Sequence, residues 1–147
     1  MTLLKLAGGL AALYLAVALL ITLLQDRLLF PRWALGSGEV SLPGDAERLS
    51  INIPGVGPLV GTLLPADRPR PAGAARILGF GGNAWDADHL LLHLHALYPD
   101  REIVTFHYRG YGPSAGRPGA DAILADAERI HDTVIADPGG GRTVVAG

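Results

Sequence analysis

Two glycine-rich stretches decide how this chain folds: GGNA at residues 81–84 and HYRGYGPSAGRP at residues 107–118. The first follows the apolar run Arg76–Phe80, and the second follows Glu102–Phe106. Both runs have the length and composition of a buried strand. The chain is therefore predicted to pass twice from a buried strand into a glycine turn.

Segments with helical periodicity follow the two turns, over Ala87–Tyr98 and Ala120–Ala136. Two consecutive strand–turn–helix units are typical of a parallel sheet with right-handed crossovers. The carboxyl ends of parallel strands share one edge of the sheet, where open α/β sheets place their chemistry. We therefore expect the functional site at the two glycine turns.

The remaining segments complete an α/β pattern. Leu49–Ile53 and Leu59–Leu64 alternate in polarity around a turn rich in proline and glycine, which predicts a β-hairpin. Thr143–Ala146 is β-branched and predicts another strand. The predicted fold is a mostly parallel, incomplete sheet in which the hairpin precedes β-α-β-α-β.

The amino-terminal segment Leu6–Leu24 carries no charged residue. At about 1.5 Å per residue it spans about 28 Å as a helix, close to the thickness of a bilayer's hydrocarbon core. A cleaved signal peptide is the main alternative, although its apolar region would be shorter. We predict a transmembrane anchor over residues 1–27, a juxtamembrane connector over 28–48 and a domain over 49–147.

The charges on either side of the apolar segment give little indication of which way it would cross a membrane. Lys5 lies before it, whereas Arg27 and Arg32 lie after it and are partly offset by Asp26. A single amino-terminal anchor commonly leaves the following domain outside the cytoplasm. We therefore expect a single-pass membrane protein whose domain lies on the non-cytoplasmic side.

Composition excludes several function classes. The 147 residues carry a net charge of −2 and no basic tract, so we expect no nucleic-acid partner. The chain has no cysteine, which excludes a disulfide framework, a thiolate nucleophile and a cysteine-containing zinc site.

The motif residues resemble a known family. GGNA at 81–84 and YRGYG at 108–112, followed by Ser114, Gly116 and Pro118, resemble the α/β-hydrolase superfamily. The most similar branch comprises membrane-anchored serine hydrolases of the lysophospholipase and acyl-thioesterase kind. The resemblance covers Gln25 to Gly147 and implies an α/β-hydrolase-type sheet. The chain departs from the family at Gly81, where the family usually has His, and at His107, where it usually has Asp.

The resemblance also assigns roles to the two turns. The loop after the third strand supplies half of an oxyanion hole, through the backbone N–H of Asn83 or, as second choice, of Ala84. Gly81 and Gly82 would let the substrate approach the backbone closely, although they could also serve only to form a tight turn. A structural role in shaping the floor of the site falls to Tyr108, Arg109, Gly110, Tyr111, Gly112 and Ser114.

Ser114 lies in GPSAG at residues 112–116, which matches the Gly-x-Ser-x-Gly of a nucleophile elbow. An elbow requires a strand that ends at the first glycine and a helix that begins at the serine. Here the predicted strand ends several residues earlier, and the helix begins only at Ala120. Pro113 also favours an extended Gly112. We therefore interpret Ser114 as a loop residue and not as the nucleophile.

The resemblance places the elbow at the end of the chain. In the family the strand equivalent to Thr143–Ala146 runs directly into Gly-x-Ser-x-Gly, so Gly147 would be the first glycine of the elbow. The nucleophile would follow two positions later, and the Asp and His of the triad later still. The sequence therefore predicts the amino-terminal part of a hydrolase domain, inactive by itself. Its apolar strand edge predicts self-association.

Histidines give a weaker signal. His89 and His93 lie four residues apart on a predicted helix, with His95 nearby, which is compatible with a zinc pair. The helix lacks the carboxylate of a His-Glu-x-x-His motif, so we predict solvated or boundary histidines and no metal site. His107 could form a hydrogen bond within its loop. His131 is predicted to share a charged, exposed face with Asp126, Glu128, Arg129 and Asp132.

Two functions follow as hypotheses. The first is a membrane-anchored serine hydrolase of acyl ester or thioester bonds, without a cofactor, which this chain represents only in part. Its partners would be the bilayer, through Leu6–Leu24, and a lipid-like acyl substrate. The second is a non-catalytic membrane-anchored protein whose half-domain serves binding or assembly.

Overall fold

The computed structural model describes five segments of the chain, namely residues 2–31, 40–68, 74–82, 85–136 and 141–147. Three helices and five strands lie in them: α1 (Thr2–Leu29), β1 (Glu47–Ile53), β2 (Gly57–Leu64), β3 (Arg76–Gly79), α2 (Ala87–Leu97), β4 (Ile103–Phe106), α3 (Ala120–Ala136) and β5 (Thr143–Ala146). This order confirms the predicted α/β class and the predicted hairpin followed by β-α-β-α-β.

The strands form one sheet in the order β1-β2-β4-β3-β5. The hairpin strands β1 and β2 are antiparallel, and β2 is also antiparallel to β4. β3 lies between two parallel neighbours, β4 and β5. The carboxyl ends of β4, β3 and β5 therefore meet at one edge of the sheet, as the two glycine turns predicted.

The amino-terminal helix α1 is longer than the predicted apolar segment. It continues through the polar residues 25–27 as far as Leu29, because helix-forming side chains extend the apolar run. By length and composition it could cross a membrane, and none of its residues is buried. β1 begins at Glu47, two residues before the predicted start of the domain at Leu49. Trp33, in the predicted connector, lies outside the described residues.

Helix α2 begins at an aspartate cap and packs on the sheet through leucines. The Asp86 carboxylate accepts hydrogen bonds from the backbone N–H groups of Asp88 at 2.9 Å and His89 at 3.2 Å, which satisfies donors that the first turn leaves unpaired. Leu91 of this helix is fully buried, in a cluster with Ile77 and Ile103 of the sheet. A Cβ on Gly79 would lie only 2.5 Å from Leu94 Cδ1, so the glycine permits close packing of α2 on β3.

Helix α3 covers the sheet with one face. Its buried residues are Asp126, Ile130 and Val134, spaced four apart. Ile130 and Val134 join a core cluster with Leu78 and Val104 of the sheet. The prediction of an exposed Asp126 was therefore wrong: its helical spacing places it in line with the apolar residues, with only 1% of its surface exposed.

A buried ion pair joins the strands at their amino ends. Arg76 opens β3 with 3% of its surface exposed, and its guanidinium pairs with Glu102 just before β4. The same guanidinium donates to the backbone carbonyl of Val134 at 3.2 Å, near the end of α3. Arg76 therefore links β3, β4 and α3 at the edge opposite the glycine turns.

β5 forms an apolar edge in the described part of the chain, with Val144 and Val145 half exposed. An apolar strand edge can pair with another chain. We expect Val145→Lys to reduce self-association, because a lysine on an edge strand opposes edge-to-edge pairing. Sedimentation velocity of the 147-residue chain in detergent would measure the loss of dimers and larger species. As a control, Ile135→Lys adds the same charge on α3, where 49% of Ile135 is exposed. If this control reduced self-association as much as Val145→Lys does, the prediction would be contradicted.

Candidate functional site

The ends of β3 and β5 bring two predicted site segments together. The backbone N–H of Phe80 donates to the carbonyl of Ala146 at 2.8 Å, so the residues that follow each strand are neighbours. Gly81 and Gly82 lie beside Gly147 and line, with apolar side chains of α2, a groove of about 240 Å³. Asn83 and Ala84, the predicted oxyanion donors, lie outside the described residues.

Tyr108 connects the two glycine loops. Its phenol donates a hydrogen bond of 2.6 Å to the carbonyl of Gly81, which fixes the start of the loop after β3. Burial raises the pKa of Tyr108, so the phenol keeps the proton that this bond requires. The Tyr111 ring packs edge-on against Tyr108, with ring centroids 6.3 Å apart. The structure thus places Tyr108 against the loop that carries Gly81.

Ser114 holds its loop against the hairpin. Its hydroxyl donates to the carbonyl of His107 at 2.8 Å and accepts from the N–H of Val60 at 2.9 Å. The Ser114 side chain is buried, and it lies in an irregular segment and not at a junction of strand and helix. These two hydrogen bonds occupy the hydroxyl as a link between the loop and β2.

The same loop bends at glycines. Gly110 has φ +75° and Gly112 has φ +48°, in the left-handed region that favours glycine. The expectation of an extended Gly112 before Pro113 was therefore wrong, because glycine has no Cβ to exclude positive φ. A Cβ on Gly112 would also lie 2.7 Å from His107 Nδ1. The bend at Gly112 thus folds the loop back onto His107.

Arg109 ties the loop to α3. Its Nε donates to Asp126 Oδ2 at 2.8 Å, and its second nitrogen donates to Oδ1 at 2.6 Å, in a bidentate pair. The hydrogen bonds to Asp126 raise the pKa of Arg109 further above its already high value. Because Asp126 is almost fully buried, its charge depends on Arg109 for compensation.

The buried side chain of His107 lies beside the site, between two carboxylates. Its side chain is 3% exposed, and its two ring nitrogens face different carboxylates. Nδ1 is 3.7 Å from Asp86 Oδ2, and Nε2 is 3.4 Å from Asp88 Oδ2. Both aspartates lie at the start of α2, so these contacts link the end of β4 to that helix.

Two residues of the β1–β2 hairpin also bind the carboxylate of Asp88. Arg48 pairs with both of its carboxylate oxygens, at 3.0 and 2.9 Å, and the hydroxyl of Thr62 donates to it at 2.7 Å. Burial by itself would raise the pKa of Asp88. The contacts with His107, Arg48 and Thr62 outweigh burial and hold this pKa well below its usual range. Asp88 is therefore an anion throughout the physiological pH range.

By donor type, Asp86, Asp88 and His107 could hold a divalent cation, since their nearest ligand atoms lie within 4.8 Å of one another. The Arg48 guanidinium already occupies both oxygens of Asp88 and places a positive charge there. We therefore assign the group as polar contacts around the Arg48–Asp88 ion pair and do not assign its members as metal ligands.

The three histidines of α2 contact different partners. The side chain of His89 is 68% exposed, with Nδ1 3.6 Å from Asp86 Oδ1. His93 is exposed and packs edge-on against Trp85, with ring centroids 6.0 Å apart. His95 contacts Asp67 at 2.9 Å. Their side chains thus have separate partners.

Sequence reasoning missed Asp86, Asp88 and Asp126 as members of the site. Two of them carried a usable signal: Asp86 directly precedes the helical pattern, as a helix cap does, and Asp126 is four residues before the inward-facing Ile130. Asp88 carried none, because its partner Arg48 lies forty residues away on another element.

Loss of the Arg109 charge should destabilise the protein strongly. We expect Arg109→Met to lower the free energy of unfolding by about 3–5 kcal/mol, because Asp126 is then a buried charge without compensation. Urea denaturation in detergent would measure the change. Arg129→Met removes an exposed arginine from the same helix and should change stability by less than about 0.5 kcal/mol. A similar effect of both substitutions would contradict the buried ion pair.

Removal of the Tyr108 hydroxyl should loosen the loop after β3. We expect Tyr108→Phe to cost about 1 kcal/mol of stability near neutral pH and to speed amide exchange of Gly82. The pKa of Tyr108 is raised on folding, so the hydroxyl's contribution is complete below about pH 10 and is lost as pH rises further. Urea titrations of both proteins from neutral to alkaline pH would show the difference shrinking. Tyr98→Phe, at a half-exposed position, should have little effect at any pH.

Comparison with known proteins finds similarity to a solved structure. No family model matches the sequence. Among solved structures, the chain is similar to an α/β serine hydrolase without a lid from Xanthomonas campestris, with 22% sequence identity and a TM-score of 0.49. The similarity covers 73% of this chain and 52% of that protein, so the chain spans about half of the hydrolase's length.

Proposed function

We propose that this chain contributes the amino-terminal part of a serine hydrolase domain that cleaves acyl ester or thioester bonds. The observation that carries this proposal is the parallel pairing of β3 with β5. It brings Gly147 beside the loop of Gly81 and Gly82. In hydrolases of this architecture one oxyanion donor follows the third strand, and the second follows the nucleophile.

The chemistry would use both sides of this junction. A serine two positions after Gly147, on a sharp turn from β5 into a helix, would attack the acyl carbonyl. The oxyanion would accept one hydrogen bond from the residue after that serine and another from the N–H of Asn83 or Ala84. Expulsion of the alcohol or thiol leaves an acyl-enzyme, which water hydrolyses with the help of a His and an acid from later in the polypeptide.

The surroundings of Ser114 support its exclusion as nucleophile. Its hydroxyl donates to a backbone carbonyl and accepts from a backbone N–H, and neither partner is a base. An activated serine needs a hydrogen bond to a general base such as an imidazole. The imidazole of His107 faces Asp86 and Asp88 instead.

The groove and the amino-terminal helix favour a lipid-like substrate. Trp85, Leu90 and Leu97 give the groove beside Gly147 an apolar wall, which suits an acyl chain. We further propose that Leu6–Leu24 anchors the protein in a bilayer, with the domain on the non-cytoplasmic side. Such an anchor would keep the domain close to membrane-bound acyl esters.

A fluorophosphonate probe tests the proposed reaction, because it forms a covalent bond only with an activated serine. The probe would be applied to the 147-residue chain and to a longer polypeptide translated from the same gene through the predicted elbow and triad. We expect labelling of the longer product alone, at the serine two positions after Gly147.

Ser114→Ala in the longer polypeptide is the matched control and should leave labelling unchanged. Labelling of the 147-residue chain at Ser114 would overturn the assignment of the nucleophile. A longer product that folds but takes up no probe would instead support a non-catalytic, membrane-anchored binding protein.

A further inference from the structure

One side of the domain exposes large apolar side chains around the groove beside Gly147. Trp85 and Leu97 line that groove, and each is more than half exposed. A second groove, of about 290 Å³, shares Ala146 of β5 with the first and extends to Tyr98, which is also about half exposed. The two grooves therefore form one continuous apolar surface on the α2 side of β5, which we call the α2 surface.

The side chains of the α2 surface are those that proteins place at the boundary between lipid and water. Tryptophan and tyrosine are enriched there, because each combines an apolar ring with a polar tip. Arg101 lines the second groove beside Tyr98, and its Nε lies 3.4 Å from Asp100 Oδ2. The stem of such an arginine can cover apolar surface while its charged head stays at the level of the headgroups.

The exposed face of α3 has a different charge. It also carries an exposed leucine, Leu124, but three of its exposed residues are acidic, namely Asp121, Glu128 and Asp132. The single acidic residue in the sequence of α2, Asp88, is buried, and the exposed polar side chains of this helix are histidines. Carboxylates are costly to dehydrate and are repelled by anionic headgroups. The α2 surface therefore suits a bilayer better than the face of α3 does.

The chain between α1 and β1 allows the domain to reach a bilayer in which α1 is inserted. Residues 30–46 separate the two elements, and they could extend over at most about 60 Å. A domain of about 100 residues has a radius of gyration of only about 13 Å. Any face could therefore contact the bilayer, and the surface chemistry decides which face does so.

We propose that the α2 surface docks the domain onto a lipid bilayer, with Trp85, Leu97 and Tyr98 at the level of the headgroups. This inference rests on the membrane anchor of the proposed function and not on its hydrolase chemistry. It also deepens that function, because the groove beside Gly147 then opens toward lipid. An acyl chain would enter the groove directly from the bilayer and would not have to cross water.

Quenching of tryptophan fluorescence by brominated lipid measures this contact. The chain has two tryptophans, so Trp33→Phe leaves Trp85 as the only one. The 147-residue chain would be reconstituted into phosphatidylcholine vesicles with or without bromine on the acyl chains. We expect bromination to lower the fluorescence of Trp85 about twofold or more, because an apolar face at the interface lies about 5–10 Å into the boundary of headgroups and acyl chains.

The opposite face provides the matched control. Leu124→Trp, in a chain that also carries Trp33→Phe and Trp85→Phe, places the only tryptophan on α3, and bromination should change its fluorescence little. A second pair of variants tests the surface itself. Leu97→Glu should reduce the quenching of Trp85 by about half or more, because a carboxylate is costly to bring into lipid. Leu124→Glu replaces another exposed leucine and should leave the quenching unchanged.

Three results would overturn the docking. The first is fluorescence of Trp85 that bromination does not change. The second is equal quenching of Trp85 and of the tryptophan introduced by Leu124→Trp, which would mean that no face is preferred. The third is absence of quenching together with disulfide cross-linking between chains through Leu97→Cys but not through Leu124→Cys. Because the chain has no cysteine of its own, this result would assign the α2 surface to a second copy of the chain.

Separate measurements report on the anchor and on the hydrolase. Flotation of the vesicles after an alkaline carbonate wash shows whether α1 is inserted. Release of the chain by this wash, after quenching of Trp85 before it, would refute the anchor and leave the docking intact. Quenching does not involve catalysis, so a negative probe-labelling result would refute the hydrolase alone.

Discussion

The position of β3 between two parallel neighbours is the constraint on which the rest of the structure depends. A strand with parallel partners on both sides requires a crossover on the way to each, and α2 and α3 provide them. The same arrangement collects the carboxyl ends of β4, β3 and β5 at one edge. Every residue of β3 and β4 is buried, so the register of these strands is strongly specified.

The segment after β4 lies at this edge of the sheet and forms hydrogen bonds to the elements around it. Tyr108 reaches the loop after β3, Arg109 reaches α3 and Ser114 reaches the hairpin. One irregular segment thereby contacts three different elements through side-chain hydrogen bonds. Its backbone conformation depends on glycines with positive φ, and the side chains of Tyr108, Arg109 and Ser114 form hydrogen bonds to other elements. The segment is therefore an integral part of the packed domain and not a peripheral connection.

Local patterns were sufficient to predict most of the fold. α3 and β5 were predicted with their observed limits, since periodicity and β-branching are read from neighbouring residues. The site was harder to predict from the sequence. Asp126 was assigned to solvent because its neighbours in sequence are charged, although its partner Arg109 lies on a loop seventeen residues earlier. The pairing of Asp88 with Arg48 and His107 depends on tertiary contacts between α2, β1 and the segment after β4, which no local pattern contains.

The separation of α1 from the core has a consequence for how the sequence can change. Because no residue of this helix is buried against the domain, a substitution there leaves the packing around Leu78 and Leu91 untouched. Bilayers differ in thickness, and an apolar helix adapts to them through its length and composition. Under the proposed membrane anchoring, selection for a particular membrane can therefore act on α1 without a compensating change in the domain. The sequence of α1 and the sequence of the sheet and its helices can therefore change independently of each other.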